Sequence, residues 1–167
     1  RRYFSIKEEY KMIKKYGLEL KDMKPVLIEE AVYPYEGKHL ITAEAVVSLV
    51  NKVFRLKFKA EEIVYMCAYN AHMDLIAVFE ISHGTATASL ISPREVGIRA
   101  LLSGAIGIMI IHSHPSGDVT PSNEDEIIFL KVIKSMRILG VELLDFLIVG
   151  NPNYFSFREH NMCNAWE

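Results

Sequence analysis

Cysteine is scarce in this 167-residue chain, with only Cys67 and Cys163, far apart and in no CxxC pattern. That excludes a zinc ribbon and a disulfide framework, and both are expected to be free thiols in a reducing cytoplasm. A surplus of one charge is absent too. Lys and Arg number 19 against 21 Asp and Glu, for a formal net charge of −2. This argues against a basic nucleic-acid footprint over the whole surface and leaves room only for a local patch. No apolar run approaches the roughly 18 residues needed to span a bilayer, so no membrane association is expected. Arg1-Arg2-Tyr3-Phe4-Ser5 lacks the apolar segment of a signal peptide, and no initiator Met marks residue 1 as the natural start. Internal repeats and low-complexity segments are missing. What is there is a globular composition, half hydrophobic and 24% charged, on a length that suits one domain with an appendage.

The chain divides into an N-terminal helix and extended arm over 1–40, a main domain over 41–158 and a tail over 159–167. Ser5-Ile-Lys-Glu8 reads as a capping box, with Ile6, Tyr10 and Ile13 on one face and Gly17 as terminator, which predicts a helix over about 6–16. Lys21 to His39 holds Pro25, Pro34 and Gly37 and one short candidate strand, Val26–Ile28; it reads as an arm packing on the core or on a partner. Thr42 caps a second helix with an apolar stripe of Val46, Val47, Leu49, Val50, Val53 and Phe54. Lys52, Arg55, Lys57 and Lys59 follow, a solvated helix end or a nucleic-acid contact.

Glu62–Tyr69 and Asp74–Ser82 flank Asn70-Ala-His-Met73 as a β-hairpin, and Thr85–Ile91 alternates like a third strand. Ser92-Pro93-Arg94-Glu95 opens a helix that Gly104 ends, and the strand Ile106–His112 comes next. Ser122 caps a helix with Asp125 at its third position and Gly140 as its stop. Val141–Val149 and Tyr154–Arg158 are the last two strands. Strand, helix, strand in this order predicts an α/β architecture, a mixed sheet with helices on its faces.

The chemistry concentrates in Ile106–Asp125, IGIMIIHSHPSGDVTPSNED. Residues i and i+2 of a strand share a face, so His112 and His114 can address one site. The loop 115–121 returns the chain so that Asp125, in the first turn of the next helix, can meet them. Two imidazoles and a carboxylate leave a fourth tetrahedral position open, the pattern of a catalytic zinc site. Such a site needs a further, unligated carboxylate to move the proton. Glu80, a carboxylate inside an otherwise apolar strand, fits that need. A lone HxH is common on surfaces and in cores, and Asp125 alone would serve the helix dipole; the spacing of the whole set is what points to a metal. His39, His72, His83 and His160 lack ligand spacing.

His112-Ser-His114, seven residues, Ser122, two residues, Asp125 resembles the JAMM motif of JAB/MPN metallohydrolases, HxHx7SxxD. HSHPSGDVTPSNED resembles the RadC subfamily in particular. Gly84-Thr85, Pro93-Arg94-Glu95 opening a helix and Leu144-Asp145 extend the similarity over about Ile41–Arg158. The resemblance implies a cytidine-deaminase-like fold, Zn2+ on His112, His114 and Asp125, Glu80 as general base and Ser122 as oxyanion donor. It implies a peptide or isopeptide bond as substrate, or else an accessory part in DNA repair with a DNA or repair-complex partner. Ser113 and Phe146 stand where RadC proteins usually carry Asn and His, and no helix-hairpin-helix-like region shows in residues 1–40. The H-x-E and P-C-x-x-C signature of cytidine deaminases is absent.

Overall fold

The structure, a computed structural model, describes residues 10–37, 39–84 and 91–163. It opens as a hairpin, strands β1 (Lys11–Lys21) and β2 (Lys24–Tyr35), where the sequence predicts a helix over 6–16. The candidate cap Ser5–Glu8 lies outside the described residues. From Lys11 onward, eleven register pairs to β2 replace the helix, and Gly17, expected as a terminator, sits inside the strand opposite Ile28. Asp22 and Met23 turn the chain with φ of 50° and 60°, the signature of a two-residue type I′ turn. The expected strand Val26–Ile28 is thus one part of a twelve-residue strand.

From Thr42 on, local signals and observed elements agree. Helix α1 (Ala43–Phe54) starts where the Thr42 hydroxyl accepts a hydrogen bond from the Ala45 amide, and it buries Val46, Leu49, Val50 and Phe54. The predicted hairpin forms as β3 (Glu62–Tyr69) and β4 (Leu75–Gly84). Most of the expected strand Thr85–Ile91 lies outside the described residues. Helix α2 (Pro93–Ser103) has Pro at its start and ends on left-handed Gly104. Strand β5 (Gly107–Ser113) leads to helix α3 (Asn123–Ile138), then β6 (Glu142–Val149) and a short β7 (Tyr154–Ser156).

These strands form one seven-stranded mixed sheet in the order β2-β1-β4-β3-β5-β6-β7. β1 runs parallel to β4 and β5 parallel to β6; the other neighbours are antiparallel. Side chains alternate between two cores, as strand periodicity requires. Val64, Met66, Phe79, Ile108, Ile110 and Phe146 pack beneath α2 and α3. Tyr65, Cys67, Tyr69, Met109, Ile111 and Leu147 pack beneath α1. This is the mixed α/β layering expected from the sequence, with the hairpin joined to the same sheet. At the far end Met162 and Cys163 also pack on the α2/α3 side. No helix among the described residues is long and apolar enough to cross a membrane.

Candidate metal centre

Strand β5 delivers its two histidines at the sheet end where β3 begins. His112 stands opposite Val64 in the β3–β5 ladder. It is therefore on the α2/α3 face, and His114, two residues on, shares that face. The rings lie edge to face with centroids 4.8 Å apart. The loop after His114 is held at its start. The His114 amide donates to the Val149 carbonyl at the end of β6 (2.8 Å), and the Gly117 amide donates back to His114 (3.0 Å). Gly117 takes a φ of 83° there, a conformation that favours glycine.

Asp125 arrives by helix capping. The Ser122 hydroxyl accepts from the Asp125 amide (3.1 Å), and Asp125 Oδ2 accepts from the Ser122 amide (2.8 Å) and hydroxyl (2.7 Å). This closed capping box fixes the carboxyl group over the histidines. Its Oδ1 is 3.2 Å from His112 Nδ1 and its Oδ2 is 3.4 Å from His114 Nε2. Burial alone would raise the Asp125 carboxyl, but the two imidazoles and Ser122 outweigh it and hold the group well below the usual carboxylate range. The same contact raises His114 above the usual imidazole value of 6.5, against the opposing effect of burial. His114 Nδ1–H donates to the Asp118 carbonyl at 2.7 Å. A carbonyl only accepts, so this bond fixes the tautomer and leaves the Nε2 lone pair facing the site.

The structure brings together His112, His114, Asp125 and Ser122, and it does not bring Glu80 to them. In β4, Phe79 and Ile81 face α2 and α3, and Glu80 between them faces the other way, paired with Tyr65. There it accepts a hydrogen bond from the Tyr65 hydroxyl (3.4 Å) and contacts Lys15 (3.8 Å) and His83 (3.5 Å). Strand alternation puts the sheet itself between Glu80 and the histidines.

The carboxylate on the correct face is Glu62. Its Oε2 lies 3.4 Å from His112 Nε2, with the side chain 17% exposed. Glu62, His112 and His114 each offer a ligand atom, all within 4.8 Å of one another, a group able to hold a metal ion. The sequence marks Glu62 only as the first residue of a strand. Period two from Val64, and the pairing of Val64 with His112, are the signals that locate it.

The donor set fits a divalent metal on two counts. His112 Nδ1 is buried and has no hydrogen-bond partner among the described residues, a state that costs free energy unless something else engages the lone pair. The three N···O separations of 3.2–3.4 Å are long for charge-assisted hydrogen bonds.

A mixed sheet carrying such a cluster at a strand end, beside a capped helix, defines an α/β domain with a possible metal site. A family model described as RadC-like JAB domain matches residues 40–162, and the chain belongs to that family. It is 41% identical over 108 residues to a UPF0758 protein of Symbiobacterium thermophilum, covering 65% of this chain and 46% of that protein. A UPF0758 protein of Thermotoga maritima is 42% identical over 98 residues, 59% of this chain and 44% of its own length. One of Clostridium acetobutylicum is 32% identical over 133 residues, 80% of this chain and 57% of its own. The chain spans about half the length of the curated relatives it matches.

Proposed function

We propose that the chain is a zinc-dependent hydrolase of amide bonds, peptide or isopeptide. The observation that carries this reading is the contact of His112, His114 and Asp125 with one another and with a fourth group, Glu62, 3.4 Å from the other ring nitrogen of His112. A zinc ion held by the first three residues would supply Lewis acidity and lower the pKa of water to about 7. Glu62 is the general base: its carboxylate takes a proton at the site and returns it to the departing amine nitrogen. This role passes to Glu62 from Glu80. The Asp118 carbonyl holds His114 in the tautomer that presents Nε2. Ser122 turns its hydroxyl from Asp125 Oδ2 toward the substrate carbonyl oxygen as negative charge builds there.

The test is cleavage of a panel of peptide and isopeptide-linked substrates by the zinc-loaded chain. Glu62→Gln is expected to keep one zinc per chain while cleavage falls by about a hundredfold or more. Full activity in that variant would remove Glu62 from the mechanism, and zinc retained by Asp125→Ala would overturn the ligand set.

A second reading, a nucleic-acid partner, is supported by one surface. Phe58 is 59% exposed, with the Arg55 guanidinium 5.5 Å and the Lys57 ammonium 5.1 Å from its ring. An aromatic platform flanked by cations suits a stacked base and its phosphates. Single-stranded oligonucleotide binding, followed by fluorescence anisotropy, should then weaken with salt and in Phe58→Ala. Binding indifferent to both would dismiss this reading.

A further inference from the structure

We propose that Ser113, the residue between the two histidines, is a positioning residue for Glu62. The inference rests on the reading that makes Glu62 the general base. In the β3–β5 ladder, Val64 and His112 are the last residues in register before the site. The next two, Ile63 and Ser113, are joined through a side chain. The Ile63 amide donates to Ser113 Oγ at 2.9 Å. The same oxygen lies 3.4 Å from the Ile63 carbonyl and 3.5 Å from the Glu61 carbonyl. A hydroxyl has one proton to give and two lone pairs. Here it accepts from the peptide after Glu62 and donates to a carbonyl on one side of it.

One buried hydroxyl therefore grips the main chain around Glu62, at the point where regular pairing with β5 stops. Ser113 is 2% exposed. Alternation along β5 turns it away from the face that His112 and His114 share, so it touches neither a ligand atom nor Glu62 Oε2. Its effect reaches the site only through the backbone. Without that grip the start of β3 is held by β4 alone, through Glu62 with Gly84 and Ile63 with His83, and nothing from β5 holds Glu62 at its 3.4 Å approach to His112.

The experiment compares wild type with Ser113→Ala, each loaded with Zn2+. Three readings are taken: amide hydrogen exchange at Ile63, the Glu62 carboxyl carbon resonance, and Zn2+ affinity by calorimetry. Protection of the Ile63 amide is expected to drop by about tenfold or more. The Glu62 resonance should lose the shift it shows on Zn2+ addition. Zn2+ affinity should hold within error, because none of the three ligands lies on β3. On a cleavable substrate, kcat should fall about ten- to a hundredfold at unchanged KM, and Ser113→Thr, which keeps the hydroxyl, should restore it. Unchanged exchange and an unchanged Glu62 shift would overturn the proposal. So would a loss of Zn2+ binding in step with a general loss of folding, since that describes a structural residue. If the alanine chain does not fold, Ser113→Thr and Ser113→Val repeat the comparison as a shape-matched pair with and without the hydroxyl; equal behaviour of the two overturns the proposal. An inert Glu62→Gln would instead remove the general-base reading and leave the Ile63 and Glu62 signals of Ser113 as they are.

Discussion

Asp125 does two things with one carboxyl group: it closes the capping box of α3 through Ser122 and it faces both imidazoles. Two predictions follow from that double use. Ser122→Ala should cost about 1 kcal/mol of stability, as loss of a helix cap does, and should also weaken Zn2+ binding, measured side by side by urea denaturation and calorimetry. The second concerns pH. The folded-state pKa of His114 is raised, chiefly by Asp125. Its stabilisation is therefore complete below the ordinary value of 6.5 and is lost as pH rises through the folded value. Asp125 is depressed, so its contribution is present above the ordinary 3.8 and is lost only on strong acidification. Metal-free protein should thus be more stable at about pH 6 than at about pH 8, and Asp125→Ala should flatten that slope. Zinc held by the imidazoles would reverse the sign, because protons compete with the metal for them. At this scale His112, His114, Ser122 and Asp125 are legible because they sit within fourteen positions and carry a local capping signal. Glu62 is not, because only strand register, a property of pairing at a distance, carries it to the site; Glu80 stands out as a carboxylate in an apolar strand, and its face depends on the same register.

The end of β6 acts on the site through the loop that follows β5. A methyl group added at Gly150 would stand 2.7 Å from the Gly117 carbonyl oxygen and 2.8 Å from Val119 Cγ1. The backbone contact cannot be relieved by a rotamer change, so the loop must move. That loop carries the Asp118 carbonyl that orients His114. Gly150→Ala should accordingly lower Zn2+ affinity by about tenfold or more, read by competition with a chelating dye, while far-ultraviolet circular dichroism stays as in wild type. Farther along, buried Asp145 accepts from the Ser156 hydroxyl (2.6 Å) and from the Phe146 and Arg158 amides (2.8 and 3.0 Å), and so pins β7 to β6. Asp145→Ala orphans these donors and should cost about 3 kcal/mol on chemical denaturation. The elements from α1 to β7 are readable because caps, left-handed glycines and period-two runs all act locally. β1 is not readable in this way, for the opposite reason. The sequence just before it, Ser5–Glu8, reads as a helix cap, and only the long pairing with β2 makes Lys11–Lys21 a strand.

On the scale of the whole molecule, the β1–β2 hairpin lies outside the family match at 40–162 yet shares the sheet. It joins β4 through only two register pairs, Lys15 with Val78 and Tyr16 with Phe79, while Ile13 and Tyr35 are buried on the α1 side. Removing residues 1–38 would leave the outer edge of β4 unpaired and the α1 core partly open. An open edge recruits other strands. Such a chain should still bind one zinc, since no ligand lies in the hairpin, but it should self-associate; light scattering with parallel metal analysis checks both. The centre also carries a practical consequence. Its proposed ligands are two imidazoles and one carboxylate, and sets of this kind follow the Irving–Williams order, in which copper outranks zinc and nickel approaches it. Protein passed over a nickel-chelate resin should therefore leave the column loaded with nickel, and its recovered metal content will record the medium it last met unless the site is stripped and refilled.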